Sequence, residues 1–314
     1  MIKMKSLISV IGGMILAGTL SLSAFAADSA LPGTVNYVEG NVALGDQALT
    51  AKSVGSATVE PGQVLVTNRG KAEMLLMPGV FVRLDDNSVL QLVSGNLTNT
   101  EVRLERGSAL IEVDELHKDN NLMVGDNGAT THLSKTGLYE FDADHSNVLV
   151  FKGQAEVQEG DQREKIKGGH EVNLTEAKLK STGFNKGRVE NSDLYKFSSL
   201  RSQYISEASV DAAQGYMGSA WAPGWFWDPW FSAYTFFPGA GFMYSPFGWG
   251  WGFYSPAWIG YYGVPFGYYG HGYVRGARYG NVRSVPAHAT MAHASPGHMG
   301  IMGGAFHGGG GFRR

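Results

Sequence analysis

A chain of 314 residues with 44 glycines, no cysteine and a formal net charge of -3, from 25 basic and 28 acidic side chains, has room for one or two domains. The absence of cysteine excludes disulfide scaffolds, zinc-thiolate sites, iron-sulfur clusters and thiol nucleophiles. The charge divides unevenly: residues 27–211 hold 18 Lys/Arg against 27 Asp/Glu, residues 212–314 hold 5 Arg against Asp228 alone, and so acidic a body has no field to attract nucleic-acid phosphates.

Lys3 and Lys5 precede an apolar run from Leu7 to Leu22 rich in Gly, Ser and Ala, and Ala24-Phe25-Ala26 follows. That order reads as a secretory signal over 1–26 cut at Ala26/Ala27; the alternative is a retained anchor, because the run approaches the roughly 20 residues a spanning helix needs. After cleavage no later segment offers a transmembrane span, which places the mature chain in the periplasm or outside the cell.

From Thr34 to Thr175, stretches of five to eight residues alternate apolar and polar side chains and end in Gly, Asn or Asp turns, the signature of half-buried strands. Val102 and Leu104 oppose Glu101, Arg103 and Glu105; Ala109, Ile111 and Val113 oppose Glu112 and Asp114; Val172 and Leu174 oppose Glu171 and Asn173. Turns fall at Pro78-Gly79, Asp86-Asn87, Arg106-Gly107, Asp126-Asn127-Gly128 and Lys152-Gly153, where glycine and asparagine tolerate positive φ. Such spacing predicts an all-β sandwich, barrel or solenoid of short antiparallel strands over 27–180. Glycine stands two or three residues before a small or branched apolar side chain in Glu39-Gly40-Asn41-Val42, Arg106-Gly107-Ser108-Ala109, Lys152-Gly153-Gln154-Ala155 and Gly168-Gly169-His170-Glu171-Val172; this is either a true repeat or the habit of any hairpin-rich chain.

Within 190–214 the period changes. Leu194, Phe197, Leu200, Tyr204 and Ala208 recur at three and four residues, and Ser192 or Asp193 can cap, which predicts one amphipathic helix covering a face or edge of the preceding sheet. Residues 215–314 then hold 23 glycines, all seven tryptophans, 20 of the 30 Phe and Tyr and no lysine. Six prolines between Pro223 and Pro265 and the entropy of ordering glycine predict a disordered Gly/Trp/Tyr tail whose aromatics adhere to a surface.

The chain contains no Gly-x-Ser-x-Gly elbow, no His-Glu-x-x-His, no phosphate loop and no EF-hand spacing. Lys135-Thr136-Gly137 matches one element of the β-lactamase set without its Ser-x-x-Lys or Ser-Asp-Asn companions. His117, His132, His145 and His170 sit beside turns as surface histidines, and Asp85-Asp86 precede a turn that favours them. His288, His293 and His298 with Met291, Met299 and Met302 make a soft ligand set for copper, with low-complexity drift as the plainer account. No residue is assigned a catalytic, cofactor or metal role.

Gly33-Thr34-Val35, Val38-Glu39-Gly40-Asn41-Val42, Pro61-Gly62-Gln63-Val64-Leu65-Val66-Thr67, Gly70-Lys71-Ala72-Glu73-Met74-Leu75-Leu76 with Pro78-Gly79, Arg83-Leu84 with Asn87-Ser88, Lys135 to Phe141 and Val148 to Val157 together resemble the FecR-domain family of bacterial envelope proteins. The resemblance implies an all-β envelope module that, in founding members, relays a signal from a TonB-dependent receptor to a sigma factor. Two departures stand out. Only six residues precede the apolar run, which argues against a cytoplasmic sigma-binding domain, and Lys135 to Tyr139 departs from the usual Gly-Thr-x-Phe pattern, with Leu138 where threonine is common. The expected function is a non-enzymatic exported interaction module that binds an envelope protein or peptide; the alternative is a structural or adhesive protein whose tail binds polysaccharide or itself.

Overall fold

The computed structural model describes residues 30–215, 224–238 and 242–252, all of which fall in one compact unit. The signal-like segment 1–26 and the histidines at 288, 293 and 298 lie outside the described residues. In chain order the strands are β1 (Val35–Leu44), β2 (Gln47–Leu49), β3 (Val64–Met77), β4 (Val80–Leu84), β5 (Val89–Asn96), β6 (Asn99–Arg106), β7 (Ser108–Val113) and β8 (Asn121–Asp126). β9 (Ala129–Leu133), β10 (Gly137–Asp142), β11 (Asn147–Lys152), β12 (Gln154–Glu159), β13 (Gln162–Lys167), β14 (His170–Asn173) and β15 (Thr182–Gly183) follow. Then come α1 (Lys186–Val189), α2 (Asp193–Gly215), and two hairpins made by β16 (Gly224–Asp228) with β17 (Ala233–Phe237) and β18 (Phe242–Tyr244) with β19 (Gly250–Gly252).

β1 to β15 form one hydrogen-bonded sheet, ordered β13-β12-β9-β8-β6-β5-β3-β4-β7-β10-β11-β14-β15, with β1 on β3 and β2 on β1. Every pair is antiparallel except β6 with β8. One face of nearly all these strands converges on a single core that runs from Val35 through Leu84, Val102 and Leu133 to Ile166 and Val172. The sheet therefore folds over into two layers facing across that core, and the end strand β13 comes close to β11 and β14. The predicted sandwich is thus built from one continuous sheet. Alternation behaves as read in β9, where Ala129, Thr131 and Leu133 are buried and Thr130 and His132 are exposed.

Two glycines of the recurring pattern, Gly107 and Gly153, stand where the chain passes between layers. β6 lies in one layer and β7 in the other, and Gly107 between them has φ 74°. A Cβ there would stand 2.3 Å from the Ser88 hydroxyl. Gly153 makes the same passage from β11 to β12 at φ 95°, where a Cβ would meet the Tyr139 hydroxyl at 2.3 Å. Only glycine fits such corners without strain.

Two expectations need correction. Glu112 in β7 and Asp114 just after it are not solvent-facing: α2 packs on β7, where Ser202 binds Glu112, Trp251 lies beside Asp114, and both carboxyls are buried. α2 forms as predicted, with the Ser192 hydroxyl accepting from Tyr195 N at 3.2 Å, but its contact stripe is rotated. Leu194, Ser198, Arg201, Ser202, Ile205, Ala208 and Ser209 are buried, whereas Leu200 is 59% exposed, because the face beneath is charged and accepts small hydroxyl side chains.

Part of the aromatic tail also departs from the disordered reading. Residues 224–238 and 242–252 pair as hairpins against α2 and the sheet, burying Trp225, Tyr234, Phe236 and Trp251 beside Leu75, Phe81 and Ile205. Sufficient aromatic burial offsets the entropy of ordering glycine, which composition alone cannot reveal. No helix among the described residues is long and apolar enough to cross a membrane.

Candidate functional site

The outer faces of the two layers differ sharply. Over β3, β4, β7, β10 and β11 the outward side chains include Leu75, Phe81, Leu110, Leu138, Leu149 and Phe151, and α1, α2 and the hairpins cover them. Phe81 meets Trp225 edge-on at 5.0 Å and stacks on Trp251 at 5.5 Å. Over β6, β8, β9, β12 and β13 the outer face is open and polar.

Beneath the cover lies a buried charge network. Register places Glu73 opposite Arg83, with Glu112 one strand further on. Arg83 donates Nε to Glu73 Oε2 at 2.7 Å and Nη1 to Glu112 Oε2 at 2.6 Å. α2 adds Arg201, whose Nη2 reaches Glu73 Oε1 at 2.9 Å and whose guanidinium lies 4.4 Å from the Tyr37 ring, and Ser202, whose hydroxyl donates to Glu112 Oε1 at 2.6 Å. Asn36 ties the second cover element: its Nδ2 donates to Glu73 Oε1 at 2.9 Å and its Oδ1 accepts from Tyr234 N at 2.7 Å.

Burial pushes the Glu73 carboxyl up, but Arg201 and Arg83 outweigh it and hold the group at about 2. For Glu112 burial wins over Arg83 and the Ser202 hydroxyl, so its pKa is raised. Asp114 is raised furthest, by burial and then by the Glu112 charge, against the pull of Arg83 and Trp251. The Trp251 indole approaches Asp114 without hydrogen-bond geometry, and both Asp114 oxygens lack a partner. These groups are buried and pair with one another, so the arrangement ties the sheet to its cover.

The open flank is the better candidate for recognition. Met123, His132 and Glu156 stand in register across β8, β9 and β12. With Asn121, Thr130 and Gln158 they line a shallow cavity of about 230 Å³. Lys165 of β13 faces Glu156 at 3.8 Å, and Arg163, Lys165 and Lys167 give the last strand an exposed basic rim. A second cavity, about 350 Å³, opens beside β2 and is lined by Leu44, Gln47, Lys52, Ser53, Ser56, Ala57 and Thr58.

The residues singled out in the sequence do not converge. His117 is exposed near Glu115, His145 Nδ1 contacts Asp142 Oδ2 at 2.8 Å, His170 Nδ1 lies 3.4 Å from Gly168 O, and His132 lines the flank cavity. Asp85 and Asp86 both neighbour Lys71. Lys135 accepts the Tyr139 hydroxyl on its carbonyl at 2.5 Å, where Lys135-Thr136-Gly137 leads into β10. Among the described residues no three His, Asp or Glu side chains gather to hold a metal. Sequence reading missed the buried network, although a signal existed. Met74-Leu75-Leu76-Met77 and Val80-Phe81-Val82 break the alternation and are apolar on both faces, as strands covered on both sides must be.

Residues 63–156 match the family model described as FecR protein. No curated protein matches the sequence. Two crystal structures of a candidate anti-sigma factor from Parabacteroides distasonis ATCC 8503 also match. The structure at 2.50 Å resolution is 16% identical with a TM-score of 0.35, over 44% of this chain and 63% of that one. The structure at 1.65 Å is 15% identical with a TM-score of 0.34, over 43% and 62%. The chain thus spans a little over six-tenths of the length of the solved structures it matches, 63% and 62%.

Proposed function

We propose that this chain, which carries a FecR domain at residues 63–156, is an exported, non-catalytic interaction module that works in bacterial envelope signalling by docking an envelope protein on the open flank of its sheet. The observation that carries the reading is the match itself, which falls on the strands β3 to β12 that build both layers. The flank offers what a transient partner uses: polar side chains in fixed register around a shallow depression, with a basic rim. The folding unit in this reading runs to at least residue 252, because 224–238 and 242–252 contribute to a buried cluster.

The test is capture of partners from envelope extract by the full chain and by a Met123→Arg, Gln158→Arg variant with unchanged circular dichroism. A partner retained by the first and lost by the second supports the reading; partners captured equally by both refute it. A second reading, a structural or adhesive envelope protein, draws on Trp230, which is 83% exposed at the tip of the β16–β17 hairpin, and on exposed Tyr244. Truncation after residue 252 together with Trp230→Ala would then abolish association that the flank variant leaves intact.

A further inference from the structure

The inner core of the sheet is apolar, yet the junction between the sheet and its cover holds Glu73, Arg83, Glu112, Asp114 and Arg201, all buried. Permanent cores gain little from such groups, since buried ion networks are commonly matched or bettered by apolar packing. The junction is also incompletely satisfied: among the described residues Arg83 Nη2, Ser198 Oγ, Arg201 Nε and the Trp225 indole N–H have no hydrogen-bond partner, and the Asp114 carboxyl has only the poorly aligned Trp251 indole beside it. Each such orphan costs free energy, and here they concentrate on one seam. The helix side of the seam is a stripe of small hydroxyls: Ser202 binds Glu112, Ser206 binds the carbonyl of Gly250, and Ser209 donates to the carbonyl of Phe236 at 3.0 Å. A polar, partly unsatisfied contact of this kind suits an element that leaves.

Lifting α2 removes Arg201 and leaves Glu73, Glu112 and Asp114 on the sheet against Arg83 alone. We propose that this face is a second docking surface, that α2 is its internal occupant, and that the external occupant is an amphipathic helix of a partner protein presenting an arginine beside small hydroxyl side chains. Arg201 stands in for the partner's arginine and Ser202 for its neighbour. The aromatic hairpins retain the cover until the partner competes.

A labelled synthetic peptide of residues 193–213 serves as the surrogate helix, titrated by fluorescence anisotropy against the full chain. Ser202→Ala in the full chain weakens the internal occupant without removing a charge, and raises peptide affinity about tenfold, the equivalent of one lost hydrogen bond to a charged group. A peptide carrying Arg201→Glu does not bind. Equal affinity for the parent chain and the Ser202→Ala variant, or equal binding of the Arg201→Glu peptide, overturns the proposal. Hydrogen exchange on the unaltered chain supplies an arm that depends on no variant: α2 amides exchange at least about tenfold faster than those of β7, through local opening. Identical rates in the two elements also overturn it.

Discussion

Replacing Arg201 with methionine tests the junction most directly. The side chain is 5% exposed and pairs with a Glu73 carboxylate that is fully buried. Arg201 first and Arg83 second hold Glu73 at about 2 instead of 4.5 against its burial, which together corresponds to about 3 kcal/mol of native-state stabilisation. Removing one partner of a buried pair costs about 3–5 kcal/mol on general grounds, so the two routes agree. A group whose folded pKa is depressed contributes stability that is present above its unfolded pKa and fades as pH falls through the folded value. The contribution at stake is therefore whole at pH 7 and declines between about 4.5 and about 2. Urea unfolding at pH 7 should show Arg201→Met less stable by about 3 kcal/mol, and the acid dependence of the variant in that window should be shallower than that of the parent. Adding Glu73→Gln should recover part of the loss, because the orphaned charge is gone. A loss under about 1 kcal/mol, or a double variant no better than the single one, would refute the assignment of Arg201 as the principal counter-charge.

Glu140 behaves in the opposite sense: burial, then the charges of Asp142 and Asp85, push its carboxyl up to about 8, and its Oε2 lacks a partner. A raised acid costs stability as pH climbs from 4.5 to about 8, so Glu140→Gln should match the parent near pH 4 and exceed it at pH 8 by about 1–2 kcal/mol, reduced for the partial exposure of the residue, with pH-resolved thermal melts as the readout. Gly107→Ala should cost about 1–3 kcal/mol, because a Cβ at φ 74° would meet Ser88; chemical denaturation checks it. Trp251→Ala, which removes a fully buried ring stacked on Phe81, should cost about 3–5 kcal/mol and accelerate amide exchange in α2 more than in β8. Trp230→Ala should stay within about 0.5 kcal/mol, since the ring is 83% exposed.

Much of the sheet was legible because period-two alternation survives wherever one face is wet, as in β6 and β9. It misled at Glu112 and Asp114, where a second layer of structure converts an apparent solvent face into an interior. The stripe on α2 was misread for the same reason: a helix that docks on carboxylates buries Ser198, Ser202 and Ser209 and turns Leu200 outward, which inverts the ordinary rule for amphipathic faces. The order in which the strands pair was not legible at all. Hairpin turns specify neighbours within a few residues, whereas the pairing of β4 with β7 or β6 with β8 depends on tertiary fit. Nor was the open flank with Met123, His132 and Glu156 foreseen, because cross-strand register is invisible until strands are placed.

The corners at Gly107 and Gly153 bear on how the molecule can be cut. Like a lace drawn through two rows of eyelets, the chain visits one layer in β6, the other in β7, returns for β8 and β9, leaves again for β10 and β11, and comes back with β12 and β13. Neither row can be tightened alone, so assembly awaits nearly the whole thread and should be slow and all-or-none. A fragment trimmed to residues 63–156 ends inside β12 and lacks β1, β13 and β14, so it should come out of expression as a frayed ribbon instead of a miniature of the parent.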